Sequence, residues 1–179
     1  MDKFDMTYKV VKDYKRLAEI INAYKTLGKK VVCTIGSWDM LHIGHLRYLH
    51  KAKNEGDILV VGADSDKAIK IYKNNPLRPV IPEDERMEML SYQNFVDYVT
   101  LVDDVSGKGE WQMGLLEAIE PDVFVAIKES YPKSQQLEIK KLCGKLKILK
   151  RQAEKTSTTL IIERTFKKRL EYVLSNAKL

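Results

Sequence analysis

A strand, a turn and a helix follow one another directly near residue 35, and they constrain the fold of this chain more than any other feature. The run Val31 to Ile35 is apolar and rich in β-branched residues, which predicts a buried strand, and Gly36 ends it. The amphipathic run from His42 to Asn54 predicts the helix. Because the first N–H groups of a helix are unpaired and carry partial positive charge, the turn before this helix is suited to binding phosphate.

Two histidines lie where this predicted helix begins. His42 and His45 are three positions apart, which places both rings on one face of a helix. Gly44 lies between them, and we expect its missing side chain to let ligand oxygens approach the backbone. An accidental His-x-Gly-His pattern on an ordinary helix is the alternative, and the strand, Gly36 and Asp39 ahead of it argue against that alternative.

Strands and helices alternate along the rest of the chain. Apolar residues at helical spacing from Val10 to Tyr24, with a stop at Gly28, predict a lead-in helix over residues 1–28, ahead of a main domain over 29–179. The strands are predicted at 30–35, 58–63, 96–102, 122–127 and 145–150. The later helices are predicted at 42–54 with a left-handed cap at Gly56, from Pro82 onward, and at 110–119, 133–143 and 158–175.

This order of elements predicts an α/β fold, namely a Rossmann-like, doubly wound, parallel five-stranded sheet with helices on both faces. Such a sheet binds ligands outside the carboxyl ends of its strands, at the point where the strand order reverses. If the first strand is central, that crevice lies between Ile35, Gly36 and Ser37 on one side and the end of strand 122–127 on the other.

Charge and composition argue against several classes of protein. The net charge is +6, but the lysines are spread along the chain and are not interleaved with aromatic residues, so no nucleic-acid partner is expected. No apolar run approaches the ~20 residues that span a bilayer, and no signal peptide is recognisable, so we expect a cytoplasmic protein without a membrane partner. Cys33 and Cys143 lack metal-ligand spacing, and no metal ligands are predicted in the chain.

The residues around the histidines resemble the motif of cytidylyltransferase-type nucleotidyltransferases. The matching residues of the turn and helix are Gly36, Asp39, His42, Gly44 and His45. The resemblance continues in the family's order through Gly56-Asp57, Val60-Val61-Gly62, Ser65-Asp66, Lys70, Lys73, Arg78-Pro79-Val80, Glu85-Arg86, Val96-Asp97-Tyr98-Val99 and Ser157-Thr158-Thr159. It covers about residues 29–162 and is strongest to heptose-1-phosphate adenylyltransferase domains, with glycerol-3-phosphate cytidylyltransferase next.

This resemblance implies roles for individual residues. His42, His45 and Lys73 are expected to be catalytic, with Lys73 and Arg86 also contacting the acceptor substrate. The residues expected to bind the nucleotide are Ile35, Gly36, Ser37, Trp38, Asp39, Gly44, Lys70, Glu129, Arg151, Lys155, Thr156, Ser157, Thr158 and Thr159. The histidines would donate hydrogen bonds to the α- and β-phosphates, and the hydroxyls at 156–159 would surround the β- and γ-phosphates.

Several of these residues also have a purely structural interpretation. Arg86 either binds phosphate or pairs with the acidic residues around it, and Trp38 either stacks on a base or fills the turn. Lys70 belongs to a helix face that could simply be solvated, and the 155–159 run could simply cap a helix.

The sequence also departs from the family at two places. The family's arginine would fall at Gln152, beside Arg151, and the glycine-rich segment that helps to select base and acceptor is replaced by 126–130.

The expected activity is transfer of a nucleotidyl group from ATP or CTP to a phosphorylated sugar or polyol, with release of pyrophosphate. Mg²⁺ would enter with the nucleoside triphosphate, whose charge it neutralises. The expected partners are therefore the nucleoside triphosphate, a small phosphorylated acceptor and a second copy of the chain, because the family is commonly dimeric. The alternatives are a nucleotide-binding regulatory protein without turnover and an adenylating enzyme related to class I synthetases, whose motif His42-Ile43-Gly44-His45 also matches.

Overall fold

The strands of the protein form one parallel sheet in a computed structural model, which describes residues 5–108, 110–128 and 130–176. The strands are β1 (Val31–Gly36), β2 (Ile58–Asp64), β3 (Tyr98–Val102), β4 (Val123–Ile127) and β5 (Lys145–Leu149). Their order in the sheet is β3-β2-β1-β4-β5, and every neighbouring pair is parallel. The order reverses at β1, because the chain passes from β1 to β2 and β3 on one side and then returns to β4 and β5 on the other.

Helices cover both faces of this sheet, so the predicted doubly wound fold is confirmed. They are α1 (Tyr14–Thr26), α2 (Ile43–Lys53), α3 (Asp66–Lys73), α4 (Glu83–Ser91), α5 (Gly114–Ile119), α6 (Lys133–Ile139) and α7 (Thr158–Asn176). Alternate residues of β1 enter two separate cores, with Val31 and Cys33 packing beside Leu17 of α1, and Val32 packing beside Leu49 of α2. This alternation of buried side chains to both faces explains why the central strands are apolar throughout.

The first segment is helical over only part of its predicted length. α1 begins at Tyr14, and the carboxylate of Asp13 caps it by accepting a hydrogen bond from the Arg16 N–H at 3.0 Å. Val10, which the spacing placed in the helix, instead pairs in parallel with Val99 of β3. Gly28 has a φ of +71°, which matches its predicted role as the helix stop.

Three local predictions were wrong. Gly56 has no left-handed conformation; its Cβ, if present, would lie 2.8 Å from the Lys30 carbonyl oxygen, so glycine is needed there for close approach of two chain segments. α5 begins at Gly114 rather than residue 110, because Trp111 pairs antiparallel with Val105. α6 ends at Ile139, short of the predicted residue 143.

Within the described ranges 5–108, 110–128 and 130–176, no helix is both long enough and apolar enough to cross a membrane.

Candidate active site

A cavity of about 1420 Å³ opens at the carboxyl ends of the central strands. Ile35, Gly36 and Ser37 of β1 and its turn line the cavity together with Ile127 at the end of β4. These are the two sides of the crevice that the sequence predicted. The reversal of the strand order separates the chain segments that leave β1 and β4, and the cavity fills the space between them.

Both histidines of the turn line this cavity, and their rings stack on each other. The ring centroids of His42 and His45 are 3.9 Å apart, with an angle of 21° between the ring planes. His42 is the N-cap of α2, where its Nδ1 accepts a hydrogen bond from the Gly44 N–H at 3.1 Å. In the neutral ring the proton must therefore lie on Nε2, which leaves that N–H to donate to a ligand.

Burial keeps both imidazoles uncharged at neutral pH. It lowers the pKa of His42, and the pKa of His45 falls to about 3 because of burial, the neighbouring His42 and the Arg78 guanidinium. Among the residues that the structure describes, the buried Nδ1 of His45 has no hydrogen-bond partner. A neutral imidazole pair can donate N–H hydrogen bonds to phosphate oxygens without the mutual repulsion that two stacked cations would have.

Gly44 makes the stacked arrangement possible, although in a different way from that expected. A Cβ at this position would lie 2.9 Å from Cε1 of His42 and 3.0 Å from the Cβ of Ala153. The space that we expected a ligand to enter is therefore occupied by the His42 ring and by the segment that leads to α7. Glycine is required because these two groups pack directly against the start of α2.

Asp39 lies behind the cavity wall and positions a cation that forms part of that wall. Its carboxylate is fully buried and accepts a hydrogen bond from Nε of Arg78 at 2.5 Å, with further bonds from the N–H groups of Val80 and Ile81 at 3.0 Å. Arg78 lines the cavity, whereas Asp39 does not. Asp39 was predicted to bind the nucleotide. In the structure its carboxylate orients Arg78, and Arg78 lines the cavity.

Trp38 is a core residue that borders the cavity. Its side chain is 4% exposed, and its indole N–H donates to the Gly62 carbonyl oxygen at 2.8 Å. Trp38 and His45 pack edge to face, with ring centroids 5.5 Å apart. This geometry matches the alternative in which Trp38 fills the turn, and it supports the histidine pair from behind.

Four cationic residues line the cavity: Lys73, Arg78, Lys141 and Arg151. Burial and the charge on Arg78 lower the pKa of Lys73. Lys70, which was predicted to bind nucleotide, is exposed one helical turn earlier and does not line the cavity. The structure therefore brings Lys73 and Arg151 to the predicted site and leaves Lys70 on the surface.

The hydroxyl residues that begin α7 form another part of the wall. Thr156, Ser157, Thr158 and Thr159 line the cavity, whereas Lys155 is exposed and does not. Two of these residues have structural roles, because Ser157 Oγ accepts from the Leu160 N–H at 3.2 Å and the Thr158 hydroxyl donates to the Asp39 carbonyl oxygen at 2.7 Å. The second bond joins the start of α7 to the histidine turn.

The structure does not bring Arg86 to the cavity. Its side chain is fully buried, with Nε donating to the Ile81 carbonyl oxygen at 2.9 Å and Nη2 to the carbonyl oxygen of Asp64 at 2.7 Å and to the Asp66 carboxylate at 2.8 Å. Its position agrees with the alternative of pairing with acidic and carbonyl groups inside the protein. Glu129, another predicted nucleotide contact, lies outside the described residues.

The cavity also contains residues that sequence reasoning did not assign to it. They are Asp64 at the end of β2, Tyr72 of α3, Arg78, and the aromatic residues Trp111 and Tyr131. Asp64 carried a usable signal, because it follows a predicted buried strand in the same way that Gly36 does. Trp111 and Tyr131 lie in connecting segments, where periodicity gives no information about which way a side chain points.

The described part of the chain contains no group of three or more His, Cys, Asp or Glu side chains arranged to hold a metal ion.

Comparison with known proteins identifies the family. A family model described as cytidylyltransferase-like matches residues 33–168, which include the histidine turn, the strands β1–β5 and the first part of α7. The chain belongs to the cytidylyltransferase-like family of nucleotidyltransferases. This membership confirms the family that the motif residues indicated, and with it the expectation of a nucleotidyltransferase fold.

The relatives include several bacterial proteins named bifunctional protein HldE. The protein from Geobacter metallireducens is 41% identical over 115 residues, which is 64% of this chain and 22% of that relative. The protein from Nitratiruptor sp. is 32% identical over 158 residues, which is 88% of this chain and 32% of that relative. The chain thus spans between about a fifth and a third of the length of these relatives.

Two solved structures share the fold. A lipopolysaccharide core biosynthesis protein from Thermoplasma volcanium aligns with a TM-score of 0.58 and 26% identity, covering 69% of this chain and 98% of that chain. A pantoate-beta-alanine ligase from Francisella tularensis aligns with a TM-score of 0.55 and 15% identity, covering 81% of this chain and 67% of that chain. The second likeness concerns the fold alone.

Proposed function

We propose that the protein transfers a nucleotidyl group from ATP or CTP to a phosphorylated sugar or polyol and releases pyrophosphate. The observation that carries this proposal is the stacked, uncharged pair His42 and His45, which shares one cavity with Lys73, Arg78 and Arg151. Neutral N–H donors and fixed cations together suit a polyphosphate, whose negative charge moves between oxygens during the reaction.

In the proposed reaction an oxygen of the acceptor phosphate attacks the α-phosphorus in line with the leaving group. The new P–O bond forms as the bond between the α-phosphorus and the bridging oxygen breaks, and pyrophosphate leaves with that electron pair. No protein nucleophile is required, so the protein contributes position and electrostatic stabilisation. The His42 Nε2–H donates to a phosphate oxygen, and the flexible ammonium of Lys73 follows the charge that develops on the leaving group.

The comparisons support the acceptor class without identifying the acceptor. Two HldE relatives match 64% and 88% of this chain, and the motifs resemble heptose-1-phosphate adenylyltransferase domains. We therefore place a heptose-1-phosphate-like compound first and a glycerol-3-phosphate-like compound second. The choice between ATP and CTP, the Mg²⁺ requirement and the homodimer belong to the same proposal.

The decisive experiment measures pyrophosphate release with each of the four nucleoside triphosphates and Mg²⁺ against a panel of sugar and polyol phosphates. We expect one nucleotide and one acceptor class to be preferred, and we expect His42→Ala to lower turnover by ~100-fold or more while the protein still melts cooperatively. Binding of nucleotide without pyrophosphate release from any acceptor would favour the regulatory alternative. A normal rate in His42→Ala would contradict the role of the histidine pair. Light scattering during gel filtration tests the homodimer.

A further inference from the structure

Besides the histidines and the cations, carboxylates and aromatic rings line the cavity, and this set of residues is here called the acceptor lobe. Its defining residues are Asp64, Glu110, Trp111, Glu117, Tyr131 and Glu138. The cations Lys73, Arg78 and Arg151 suit phosphate, whereas the acceptor lobe offers groups that accept hydrogen bonds. The two kinds of group in one cavity suit a molecule with a phosphate at one end and hydrogen-bond donors at the other.

Asp64 is held in place at the carboxyl end of β2 with part of its carboxylate still available. Its Oδ2 accepts a hydrogen bond from the Tyr72 hydroxyl at 2.7 Å, and its carbonyl oxygen accepts from Arg86. Within the described part of the chain, Oδ1 of Asp64 accepts no hydrogen bond. A half-buried carboxylate that lines a ligand cavity and has one oxygen without a partner calls for a donor, and a substrate hydroxyl supplies one.

Tyr131 brings a hydroxyl to the same region. Its ring packs against Phe124 with centroids 5.9 Å apart and against Trp111 at 6.0 Å. Its hydroxyl makes no hydrogen bond to any other residue that the structure describes. Burial raises the pKa of Tyr131 and the charge on Asp64 adds to this effect, so the two groups, which both line the cavity, lie within electrostatic range of each other.

The aromatic wall beside Tyr131 is positioned from behind. The Trp111 indole N–H donates to Asp104 at 3.2 Å, and the second carboxylate oxygen of Asp104 accepts from the Gly114 N–H at 2.6 Å. Because its only donor is used by the protein, Trp111 offers the cavity an apolar ring rather than a polar group. An apolar ring next to hydroxyl-binding groups fits a sugar, whose C–H bonds form apolar patches between its hydroxyls.

We propose that Asp64 and Tyr131 bind hydroxyl groups of the acceptor, and that Asp64 is a specificity-determining residue selecting a phosphate ester with several free hydroxyls, such as a sugar phosphate. This inference rests on the proposed nucleotidyl transfer and assigns the acceptor part of the same site. A carboxylate and aromatic rings would also attract an ammonium group, so an amino-alcohol phosphate is the outcome that the test must distinguish.

The ionisation of Asp64 gives the proposal a second readout. Burial raises the pKa of Asp64 to about 6, against the opposing effects of the Tyr72 hydrogen bond and the charges on Arg86 and Lys73. The ionisable groups that face it are Tyr72 and Lys73 on α3, Arg86 on α4, Asp104 after β3 and Tyr131 after β4. The carboxylate is ionised above about pH 6, where it accepts a hydrogen bond from a hydroxyl group most strongly. It becomes neutral below that pH.

The test compares wild type, Asp64→Asn and Tyr131→Phe by steady-state kinetics with heptose 1-phosphate, glucose 1-phosphate, glycerol 3-phosphate and phosphoethanolamine. At pH 8 we expect Asp64→Asn to raise the KM for the preferred sugar phosphate roughly 10- to 100-fold, with the KM for nucleotide and kcat within about threefold of wild type. The wild-type acceptor KM should rise as the pH falls below about 6, and the rise should be smaller in Asp64→Asn, where only protonation of the acceptor's own phosphate, with a second pKa of about 6, still contributes. Asp84→Asn removes one surface carboxylate, which pairs with Lys12, and serves as the charge control.

An unchanged acceptor KM in both Asp64→Asn and Tyr131→Phe would overturn the inference, as would a preference for phosphoethanolamine. If no nucleotide and acceptor release pyrophosphate, the proposed transfer fails, and calorimetric titration of each acceptor alone still decides the inference. Equal affinity of wild type and both variants for the sugar phosphates, or no binding to wild type, would overturn it there. Tyr131→Phe keeps the test decisive if Asp64→Asn does not fold.

Discussion

The depressed pKa of His45 makes a quantitative prediction about how the stability of the protein depends on pH. An unfolded chain protonates this imidazole near pH 6.5, whereas in the folded protein it resists protonation until about pH 3. The contribution of the neutral ring to stability is therefore complete above pH 6.5 and is lost as the pH falls toward 3, because only the unfolded state gains the proton.

On acidification from pH 7 to pH 4.5, stability is lost only below the unfolded pKa, that is, over about two pH units. At about 1.36 kcal/mol for each unit, the loss of unfolding free energy is at most about 2.7 kcal/mol. We expect about 1 to 2.5 kcal/mol, since the ring borders a solvent-accessible cavity. The perturbation is His45→Gln, which keeps a polar side chain but cannot take up a proton. Other titrating groups, including His42 and Asp64, remain in both proteins and largely cancel in the comparison.

The assay is urea unfolding of wild type and His45→Gln at pH 7 and pH 4.5, followed by tryptophan fluorescence. For each protein we take the decrease in unfolding free energy between pH 7 and pH 4.5. The quantity of interest is the difference between these two decreases. Wild type should lose about 1 to 2.5 kcal/mol more than the variant. Equal losses would refute the reasoning, because His45 would then be free to protonate in the folded protein.

Two further substitutions test how the histidine turn is built. Gly44→Ala would place a Cβ 2.9 Å from the His42 ring, so the ring must leave its stack on His45. We expect turnover to fall by roughly 10- to 100-fold with little change in melting temperature. An unchanged rate would contradict this geometry. Asp39→Asn breaks the buried ion pair with Arg78, and urea unfolding should show a loss of about 3 to 5 kcal/mol; a loss under about 1 kcal/mol would show that the pair is not required.

Much of the fold could be predicted because the strands that matter are buried on both faces. Val31 to Ile35 and the later apolar runs have few alternatives to a parallel sheet, and the turn after β1 had to lie at the carboxyl edge. The errors arose where a distant contact overrode a local pattern. Glu110 to Met113 has helical composition, but the pairing of Trp111 with Val105 and the left-handed backbone of Met113, with a φ of +65°, exclude it from the helix.

The site was harder to predict than the fold, because a motif identifies a position without giving the direction of its side chain. Asp39, Arg86 and Trp38 all belong to the motif region, but Asp39 and Arg86 are buried and do not line the cavity, and Trp38, which borders it, is only 4% exposed. Their partners include backbone groups of distant segments, such as the Gly62 carbonyl for Trp38. Sequence spacing carries no information about such partners. Spacing alone therefore does not distinguish a residue that supports the site from one that binds the ligand.

The hydrogen bond from Thr158 to the carbonyl of Asp39 joins residues 119 positions apart in the chain. During synthesis on a ribosome, β1 to β4 and their helices emerge and can pair before the start of α7 is available. The histidine turn would then already be attached to a folded sheet, while the wall of its cavity formed by the start of α7 would still be missing. A nascent chain that is stalled before residue 158 should be compact but unable to retain a triphosphate, so the ability to bind nucleotide would appear only after α7 has been synthesised.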